Sequence, residues 1–415
     1  MKVCQINCIY GVGSTGKLTR DLHCTMLSKG IDSFVIVPEK NQFTDEKGCY
    51  TIAPRWQSML SAVFRRLTGL QYDGAFLQTG KLISILKNEQ PDIVHLQCIN
   101  GNNINVYRLL KYLAKKKVHT LLTLHAEFPY TGGCGHAYDC NRWLTGCGHC
   151  PIRKEATQSV FFDLTKRTWK KWSRVYSLFD SRCFMYTAVS PWLLGRARKS
   201  PMFSRFQGSV VLNGINETVF HFVSKAGYNV RQKYGINNGE RILLFVTASF
   251  YPQRDDLKGG RYVVDLARRF QNASIKILVA ANRGDGSDLP DNIVYIGRAK
   301  TQEELATLYS AADLSLVVSR RETFSLPVAE SLCCGTPVVG FKAGGPESIA
   351  IKSFSCFVDY GDMDRLEESI LTFLGAEFDR QVIITQACSQ YSQERMFQSY
   401  LNKYQELLSY ASRSN

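Results

Sequence analysis

The hydrophobic and polar positions of this chain alternate between short apolar runs and longer amphipathic segments. Apolar runs of about four to eight residues, rich in Val, Ile and Leu, are typical of buried parallel strands. Such runs predict strands at residues 2–8, 33–38, 91–96, 120–124 and 185–189, and again at 241–247, 274–280, 292–296, 314–318 and 336–340. Helical patterns lie between them, for example at residues 18–28, 105–115, 260–269, 303–310 and 327–334, and a long polar one covers 379–412. This alternation predicts an α/β fold with doubly wound parallel sheets.

The length of 415 residues favours two domains over a single core. Residues 211–216, Val-Leu-Asn-Gly-Ile-Asn, have the turn chemistry that ends a strand, so we place the boundary there. The prediction is an N-terminal Rossmann-like domain of residues 1–212, a C-terminal one of 213–385, and a helical segment of 386–415 that packs back toward the N-terminal domain. Two such domains face each other across a cleft, which suits a reaction between two large substrates.

The positive charge is concentrated in the first half. Residues 1–210 hold 29 Lys and Arg against 13 Asp and Glu, a net +16, whereas the remainder has a net charge of −1. The basic clusters are Arg65-Arg66, Lys111 with Lys115-Lys116-Lys117, and residues 166–174, where Trp169 and Trp172 are interleaved. One cluster alone is normally a solvated helix face, but three favour an anionic partner: a membrane leaflet, a lipid diphosphate or nucleic acid.

No apolar run reaches the length of a membrane span, and the first residues, broken by Gln5 and Asn7, are typical of a strand and not of a signal peptide. We therefore predict a cytoplasmic protein that attaches peripherally to the inner face of the cell membrane. In such a reducing compartment, most of the 14 cysteines are expected to be small buried hydrophobic side chains.

Two carboxylates, Glu322 and Glu330, stand eight positions apart around the start of a predicted helix that follows a predicted strand. In open α/β sheets, ligands bind outside the carboxyl ends of the strands. A helix amino end there offers N–H groups and a positive dipole to a phosphate, and a carboxylate beside it accepts hydrogen bonds from vicinal sugar hydroxyls. The spacing predicts a nucleotide-sugar site. Arg254 and Lys258, which follow another strand, can neutralise its diphosphate.

A glycine-rich turn at residues 11–18 nearly matches an ATP-binding phosphate loop. Leu18 stands where the magnesium-binding hydroxyl is required, which argues against an ATPase. The helix that begins near Gly13 remains a candidate ligand-facing helix end. His125 ends another apolar strand, so it is either a satisfied core histidine or a group that binds a sugar hydroxyl or transfers a proton near neutral pH.

Cys134, Cys140, Cys147 and Cys150 lie within 17 positions and end in a Cys-x-x-Cys motif. Four such thiols can bind one structural, tetrahedral Zn²⁺, and the alternatives are a redox pair or plain reduced thiols. A catalytic zinc is disfavoured because four thiolates leave no open coordination position.

Taken together, these motifs resemble those of GT-B glycosyltransferases of the large retaining family 4. The matching motifs are Glu322-x7-Glu330, the pair Arg254 and Lys258, Gly297-Arg298-Ala299, Gly335-Thr-Pro-Val-Val, Gly344-Gly-Pro-Glu347 and Asn213-Gly-Ile215. The first half resembles a bacterial subgroup that makes exopolysaccharides such as colanic acid, capsule or O-antigen. Its motifs are Gly13-Ser-Thr-Gly16, Thr123-Leu-His125, Thr131-Gly-Gly-Cys134, Cys140-Asn-Arg-Trp143 and Gly146-Cys-Gly-His-Cys-Pro151.

The resemblance implies a role for each matching residue. Glu330 would bind the ribose hydroxyls of an NDP-sugar, and Glu322 would bind the donor sugar and act in catalysis together with His125. The remaining donor-binding residues would be Gly13, Arg254, Lys258, Arg298, Ala299, Thr323, Phe324, Ser325 and Leu326. It also implies hexosyl transfer with retention of configuration, no cofactor or divalent metal for catalysis, and an acceptor glycan on a lipid diphosphate.

Two departures from the family pattern affect the site. The usual His-Asp is His125-Ala126 here, followed by Glu127, and the usual Glu-Gly-Phe-Gly is Glu322-Thr-Phe-Ser325. Two other functions remain open. A nucleic-acid-binding protein would explain the basic half but not the paired acids, and a sugar-nucleotide epimerase on the same fold would not need a basic acceptor face. We favour the transferase and expect no nucleic acid partner.

Overall fold

The structure is a computed structural model that describes residues 1–101, 103–254 and 256–412. It divides into two compact units, one formed by Met1–Val211 with Phe397–Asn415 and the other by Leu212–Met396. Each unit contains its own sheet. Both sheets are parallel, since neighbouring strands run in the same direction.

The first unit is built on a seven-stranded sheet in the order β3-β2-β1-β4-β5-β6-β7. Its strands are β1 (Lys2–Ile6), β2 (Asp32–Val37), β3 (Cys49–Thr51), β4 (Ile93–Leu96), β5 (His119–Leu124), β6 (Phe184–Ala188) and β7 (Gln207–Val210). Its helices include α1 (Gly13–Ser28), α2 (Arg55–Thr68), α3 (Phe76–Glu89), α4 (Val106–Lys115), α5 (Arg153–Thr157), α6 (Thr165–Tyr176) and α7 (Pro191–Lys199). The strand order reverses between β1 and β4, which is where such sheets bind ligands.

The second unit is built on a six-stranded sheet in the order β10-β9-β8-β11-β12-β13. Its strands are β8 (Arg241–Thr247), β9 (Ile275–Ala281), β10 (Ile293–Gly297), β11 (Leu314–Val317), β12 (Val338–Phe341) and β13 (Ser355–Val358). The helices that follow α7 along the chain are α8 (Ala226–Tyr234), α9 (Gly260–Arg269), α10 (Gln302–Ala311), α11 (Leu326–Cys333), α12 (Gly345–Ile349), α13 (Met363–Gly375), α14 (Arg380–Tyr391) and α15 (Gln393–Ser412). Here the reversal lies between β8 and β11.

The two doubly wound parallel sheets confirm the predicted α/β class. The long C-terminal helix predicted over 379–412 is two helices, α14 and α15, which Ser392 separates. The chain returns to the first unit at Phe397, where Tyr400 and Tyr404 of α15 are buried against that unit. No helix among the described residues is both long and apolar enough to span a bilayer.

Trp172, which is interleaved with the basic residues of segment 166–174, does not reach the surface. Its side chain has no exposed area and stacks on Tyr176 with ring centroids 5.5 Å apart. The neighbouring Lys171 pairs with Asp73 and lies over the ring of Tyr107. The helix α6 is amphipathic, and its buried side packs on the first unit. Part of the basic segment 166–174 therefore makes contacts within that unit.

Candidate functional site

The carboxyl ends of β8 and β11 form the switch point of the second unit, and the predicted basic and acidic residues lie there. The two strands pair directly, with Leu314 beside Leu243. The loop after β8 carries Lys258, and the loop after β11 carries Glu322. The N–H of Arg320 donates to the carbonyl of Leu257 at 2.8 Å, which fastens the two loops together. The fold therefore brings a cation and a carboxylate to the edge where ligands bind.

Lys258 and Glu322 form an ion pair, with the Nζ of Lys258 2.5 Å from Oε1 of Glu322. Their side chains are 24% and 19% exposed, so the pair is partly screened from water but open to a ligand. The loop is held by Asp256, whose Oδ1 accepts from the N–H groups of Lys258 and Gly259. Gly259 is required because a Cβ there would lie 2.2 Å from the carbonyl oxygen of Val318.

Helix α11 places Glu330 beside the same edge. Glu330 is 8% exposed and accepts a hydrogen bond from the Tyr309 hydroxyl at 3.1 Å. Burial and the charge of Glu330 raise the pKa of Tyr309 well above its ordinary value, so this hydroxyl stays protonated and donates. The helix begins at Leu326, and its amino end offers backbone N–H groups to an anion. A buried carboxylate and a helix amino end thus lie on one element.

The loop between Glu322 and α11 is built around a serine in a glycine conformation. Ser325 has φ +83° and ψ +89° and precedes the first residue of α11. Phe324 is buried, and Gly345 lies so close that a Cβ on it would be 2.4 Å from the carbonyl carbon of Thr323. The turn forms without the two glycines of the family pattern, and the backbone at Ser325 is strained as a result.

Ser325→Gly is expected to raise the free energy of unfolding by about 1 kcal/mol. A residue with a Cβ costs roughly 1–2 kcal/mol in the left-handed region, and the greater freedom of glycine in the unfolded chain offsets part of the gain. The urea midpoint of the purified protein measures this change. Ser325→Ala is the matched control, because it removes the hydroxyl and keeps the strain. A lower midpoint for Ser325→Gly than for wild type would contradict the strain argument.

The other predicted donor-binding residues of this unit also lie at the carboxyl ends of strands. Arg298 is exposed and Ala299 is partly buried, directly after β10 ends at Gly297 with φ +75°. Arg254 is exposed in the loop after β8 and lies 5.0 Å from the centroid of the Tyr251 ring. Since β10 is separated from β8 only by β9, these groups share an edge with Lys258 and Glu322.

In the first unit, His125 and Gly13 occupy the corresponding carboxyl edge. The Nε2 of His125 lies 2.9 Å from the side-chain oxygen of Gln97. The amide nitrogen of Gln97 in turn donates to Gln5 at 3.1 Å and lies 3.3 Å from the Nδ1 of His95. Gly13 begins α1 with φ +64°. Gln97 was not predicted, although it directly follows an apolar strand, the same signal that identified His125.

The network continues to the C-terminal helix. The Nδ1 of His95 is 2.7 Å from the Tyr404 hydroxyl, and its Nε2 is 2.7 Å from Oγ1 of Thr123. Burial, with a smaller effect from His125, lowers the pKa of His95 to about 3, and burial lowers that of His125 to about 4. Both imidazoles are therefore neutral near pH 7. In its neutral form His125 can hydrogen-bond to a ligand at this edge.

Stability is expected to fall as the pH is lowered from 6.5 toward 4. Over that interval the unfolded chain protonates these histidines at their ordinary pKa of 6.5, whereas the folded chain does not. The unfolded state thus binds more protons, and the free energy of unfolding falls by up to about 3 kcal/mol for His125 alone. Urea midpoints between pH 7.5 and 4.5 measure the slope, which His125→Gln should reduce. An unchanged slope in His125→Gln would contradict the assignment.

Glu127 is a buried anchor that the sequence did not reveal. Its side chain has no exposed area, and it accepts from the Nε of Arg196 at 2.5 Å, the N–H of Ala137 at 2.7 Å and the Tyr130 hydroxyl at 3.0 Å. The guanidinium of Arg196 lies over the rings of Trp143 and Trp192, 5.1 Å and 5.2 Å from their centroids. Glu127 therefore stabilises the loop after His125 from inside and does not replace the missing Asp as a ligand-facing group.

The four predicted zinc ligands surround one small cavity of about 20 Å³, which also touches Gly132 and Trp143. The N–H of Gly132 donates to the Sγ of Cys147 at 3.1 Å. Burial raises the pKa of Cys134 and of Cys147 to about 12, so both are thiols at neutral pH without a metal. Within the described ranges, no group of three or more His, Cys, Asp or Glu side chains is arranged to hold a metal ion. The four cysteines line one cavity, and the zinc site stays a prediction.

Comparison with known proteins finds a family model that matches most of the second unit. Residues 229–390 match the family model "Glycosyl transferases group 1". N-acetyl-alpha-D-glucosaminyl L-malate synthase of Bacillus anthracis is 24% identical over 39% of this chain and 45% of its own length. The chain thus spans less than half the length of the first curated relatives it matches. Putative colanic acid biosynthesis glycosyl transferase WcaC of Escherichia coli K12 is 21% identical over 98% of this chain and 100% of its own.

Solved structures match both units together. Sucrose-phosphate synthase from Thermosynechococcus elongatus superposes with a TM-score of 0.66 at 15% identity, covering 98% of this chain and 99% of that one. Anabaena HepE in complex with UDP-glucose gives a TM-score of 0.63 at 14% identity, covering 99% of each chain. These likenesses confirm the predicted fold of two Rossmann-like domains of the GT-B type.

Proposed function

We propose that this chain is a glycosyltransferase that moves a hexosyl unit from an NDP-sugar to a glycan acceptor in bacterial surface polysaccharide synthesis. The observation that carries the proposal is the Lys258–Glu322 pair at the switch point of a unit that matches glycosyl transferases group 1. The full-length likeness to WcaC supports polysaccharide synthesis, and the complexes of HepE with UDP and UDP-glucose support a nucleotide-sugar donor.

In this proposal each group at the edge has one task. Glu330 accepts from the ribose hydroxyls while Tyr309 fixes its orientation, and Glu322 accepts from hydroxyls of the donor sugar. Arg298 and Ala299 contact the base. Lys258, Arg254 and the backbone N–H groups from Thr323 to Leu326 stabilise the negative charge of the leaving diphosphate. Because these groups supply the positive charge, the proposed reaction requires no cofactor or divalent metal.

The proposed chemistry is transfer with retention at the anomeric carbon. The acceptor hydroxyl attacks that carbon on the face from which the diphosphate departs, and the bond between the carbon and the phosphate oxygen breaks. The electron pair stays on the departing phosphate oxygen, which accepts the proton of the attacking hydroxyl. His125, neutral near pH 7, and Gly13 are proposed to contact the substrates by hydrogen bonds.

We further propose that the acceptor is carried on a lipid diphosphate, that the protein is cytoplasmic, and that it meets an anionic inner membrane surface. The support is the net charge of +16 on residues 1–210, which attracts anionic lipid headgroups and repels none of them. Nucleic acid is not expected as a partner, since duplex binding would leave the paired acids of the second unit unexplained.

A thermal-shift screen of nucleotide sugars tests the proposed donor site. A ligand at 100 times its dissociation constant stabilises the folded state by about 2.7 kcal/mol, so one nucleotide class should raise the melting temperature. The bound sugar is then incubated with the protein alone and analysed for a changed sugar. Conversion without acceptor would favour the epimerase, and a shift by oligonucleotides but by no nucleotide sugar would favour the nucleic-acid-binding alternative.

We also propose one structural Zn²⁺ at the four-cysteine cavity. About one equivalent of zinc should copurify with the protein, with no zinc added, because the four cysteines that line this cavity match the preferred ligand number. Binding must displace thiol protons, so affinity should increase with pH. Cys147→Ser should lose the metal, and Cys388→Ser, in the other unit, should retain it. Less than about a tenth of an equivalent in wild type, with this loop folded, would decide for reduced thiols.

A further inference from the structure

Helix α2 turns its apolar side outward. Six large apolar side chains spaced three and one positions apart lie on one face, and each is about half exposed or more: Trp56 59%, Met59 65%, Leu60 60%, Val63 52%, Phe64 46% and Leu67 50%. A surface helix of a globular protein normally buries such a stripe against the core. Here the stripe faces solvent.

Polar contacts hold the helix in this orientation. The guanidinium of Arg65 donates to the carbonyl of Thr157 and to the side chain of Gln158, both at 2.9 Å. The side chain of Gln57 accepts from Gln78 at 2.8 Å. Since the polar face makes specific contacts with the unit, the outward orientation of the apolar face is a property of the fold.

Two further exposed apolar groups are attached to the same helix. Val160, Phe161 and Phe162 are 52%, 63% and 56% exposed, and the N–H of Val160 donates to the carbonyl of Arg66 at 3.0 Å. At the start of α3, Phe76 and Leu77 are 58% and 81% exposed, directly before the Gln78 that bonds to α2. We call these eleven side chains the α2 apolar surface. They are eleven of the eighteen exposed large hydrophobic side chains among the described residues, so the exposure is concentrated and not scattered.

The border of the α2 apolar surface is basic. Residues 48–72 contain no Asp or Glu, and α2 ends with Arg65 and Arg66 in its last turn. Exposed basic residues follow the Val160 group, namely Lys166 and Arg167. The two acids nearest along the chain have partners: Asp73 is paired with Lys171, and Asp163, directly after Phe162, accepts from the N–H of Cys150 and from the hydroxyl of Thr165. An exposed apolar helix face that carries Trp, Phe and Leu side chains and has basic residues at its border is complementary to an anionic bilayer.

We propose that the α2 apolar surface inserts into the headgroup region of a bilayer that contains anionic phospholipid, with α2 lying in the plane of the membrane. The occupant is the bilayer itself and not a protein groove or a second copy of the chain. The inference rests on the proposed membrane partner and assigns it a surface, and it differs from attraction by lysines alone because it requires apolar insertion.

Flotation with vesicles of phosphatidylcholine and phosphatidylglycerol tests the proposal. Wild type should float with the anionic vesicles, and Leu60→Ser with Phe64→Ser should lower the partition coefficient at least about tenfold, since each buried CH₂ contributes roughly 0.8 kcal/mol. The matched control is Leu371→Ser with Val382→Ser, which alters two apolar positions of similar exposure in the second unit and should bind as wild type does. Equal binding of both double variants would overturn the proposal.

Lipids brominated in the acyl chain measure insertion directly. They should quench the fluorescence of wild type, and Trp56→Phe should remove most of the quenching while vesicle binding is retained. Vesicle binding without quenching would show that the protein is held by surface charge alone, and it would overturn the proposed insertion. Sedimentation without lipid tests whether a second copy of the chain covers this surface instead. Wild type should be a monomer. A wild-type dimer that becomes a monomer in Leu60→Ser with Phe64→Ser would overturn the proposal. The donor thermal shift of the same variant should be unchanged, so failure of the donor assignment and failure of this one are distinguishable.

Discussion

Replacing Glu127 by alanine is expected to lower the free energy of unfolding by about 3 kcal/mol, because it removes a fully buried carboxylate and leaves the partly buried guanidinium of Arg196 without its counter-ion. The carboxylate also satisfies the N–H of Ala137 and the hydroxyl of Tyr130, and neither group can regain a water molecule in its fully buried surroundings. Domains of ordinary size are stable by about 5–15 kcal/mol, so this single change removes a large part of the total.

Urea unfolding followed by tryptophan fluorescence measures the loss. Glu155→Ala is the control, since Glu155 is exposed and bonds only one tyrosine hydroxyl in the described contacts, and a change within about 0.5 kcal/mol is expected. Glu127→Ala combined with Arg196→Met should be less destabilised than the sum of the two single variants, because the pair acts as a unit. Additive losses would show that the two side chains stabilise the loop independently, and a loss below about 1 kcal/mol would contradict the buried pair.

The regular elements of the second unit follow from local sequence. Residues 241–247 and 260–269, predicted as strand and helix, are the bounds of β8 and α9. Both segments carry an apolar pattern whose period matches the element, and each packs into one core with Ile277 and Val339. Where the sheet is buried on both faces, the apolar run alone defines the strand.

The edge strands β3 and β7 and the helix α2 were not predicted, because their local signals are weak or conflicting. β3 has only three residues, all partly buried, and β7 begins with an exposed Gln207 and contains Gly208, so neither shows an apolar run. Pairing with a neighbouring strand creates them. The apolar face of α2 is a normal helical pattern in the sequence, but a sequence cannot show that this face is turned away from the core.

The sequence predicted which residues of the candidate donor site follow strands, but not the contacts between them. Lys258 and Glu322 each follow a strand, and the strand order then brings β8 and β11 together. Their 2.5 Å contact depends on two irregular loops, which no local pattern encodes. The role of Glu127 could not be predicted from local sequence. Two positions after His125, it resembles a displaced ligand-binding acid, but its partner Arg196 is 69 residues away along the chain.

In the proposed reaction, Glu322→Gln is expected to lower kcat by about 10²–10³-fold while the KM for the donor changes little, because the interaction with the reacting sugar strengthens as charge develops. Glu330→Gln should instead raise the donor KM by roughly 10- to 100-fold, since hydrogen bonds to a charged group contribute about 1.5–3 kcal/mol to binding equally in both states. Steady-state rates with the donor found in the thermal-shift screen give both parameters. Glu368→Gln, exposed on α13, is the control and should leave both unchanged.

The ion pair adds a sharper criterion. Lys258→Ala removes the cation that faces the leaving diphosphate and also releases Glu322 from its partner, so its effect on kcat should be of the same order as that of Glu322→Gln. In the double variant the losses should fall short of the product of the single losses, because each side chain positions the other before the donor arrives. Independent losses would mean that Lys258 and Glu322 contact the donor separately, and near-wild-type kinetics in both single variants would remove the central claim that this edge of the sheet is the catalytic site.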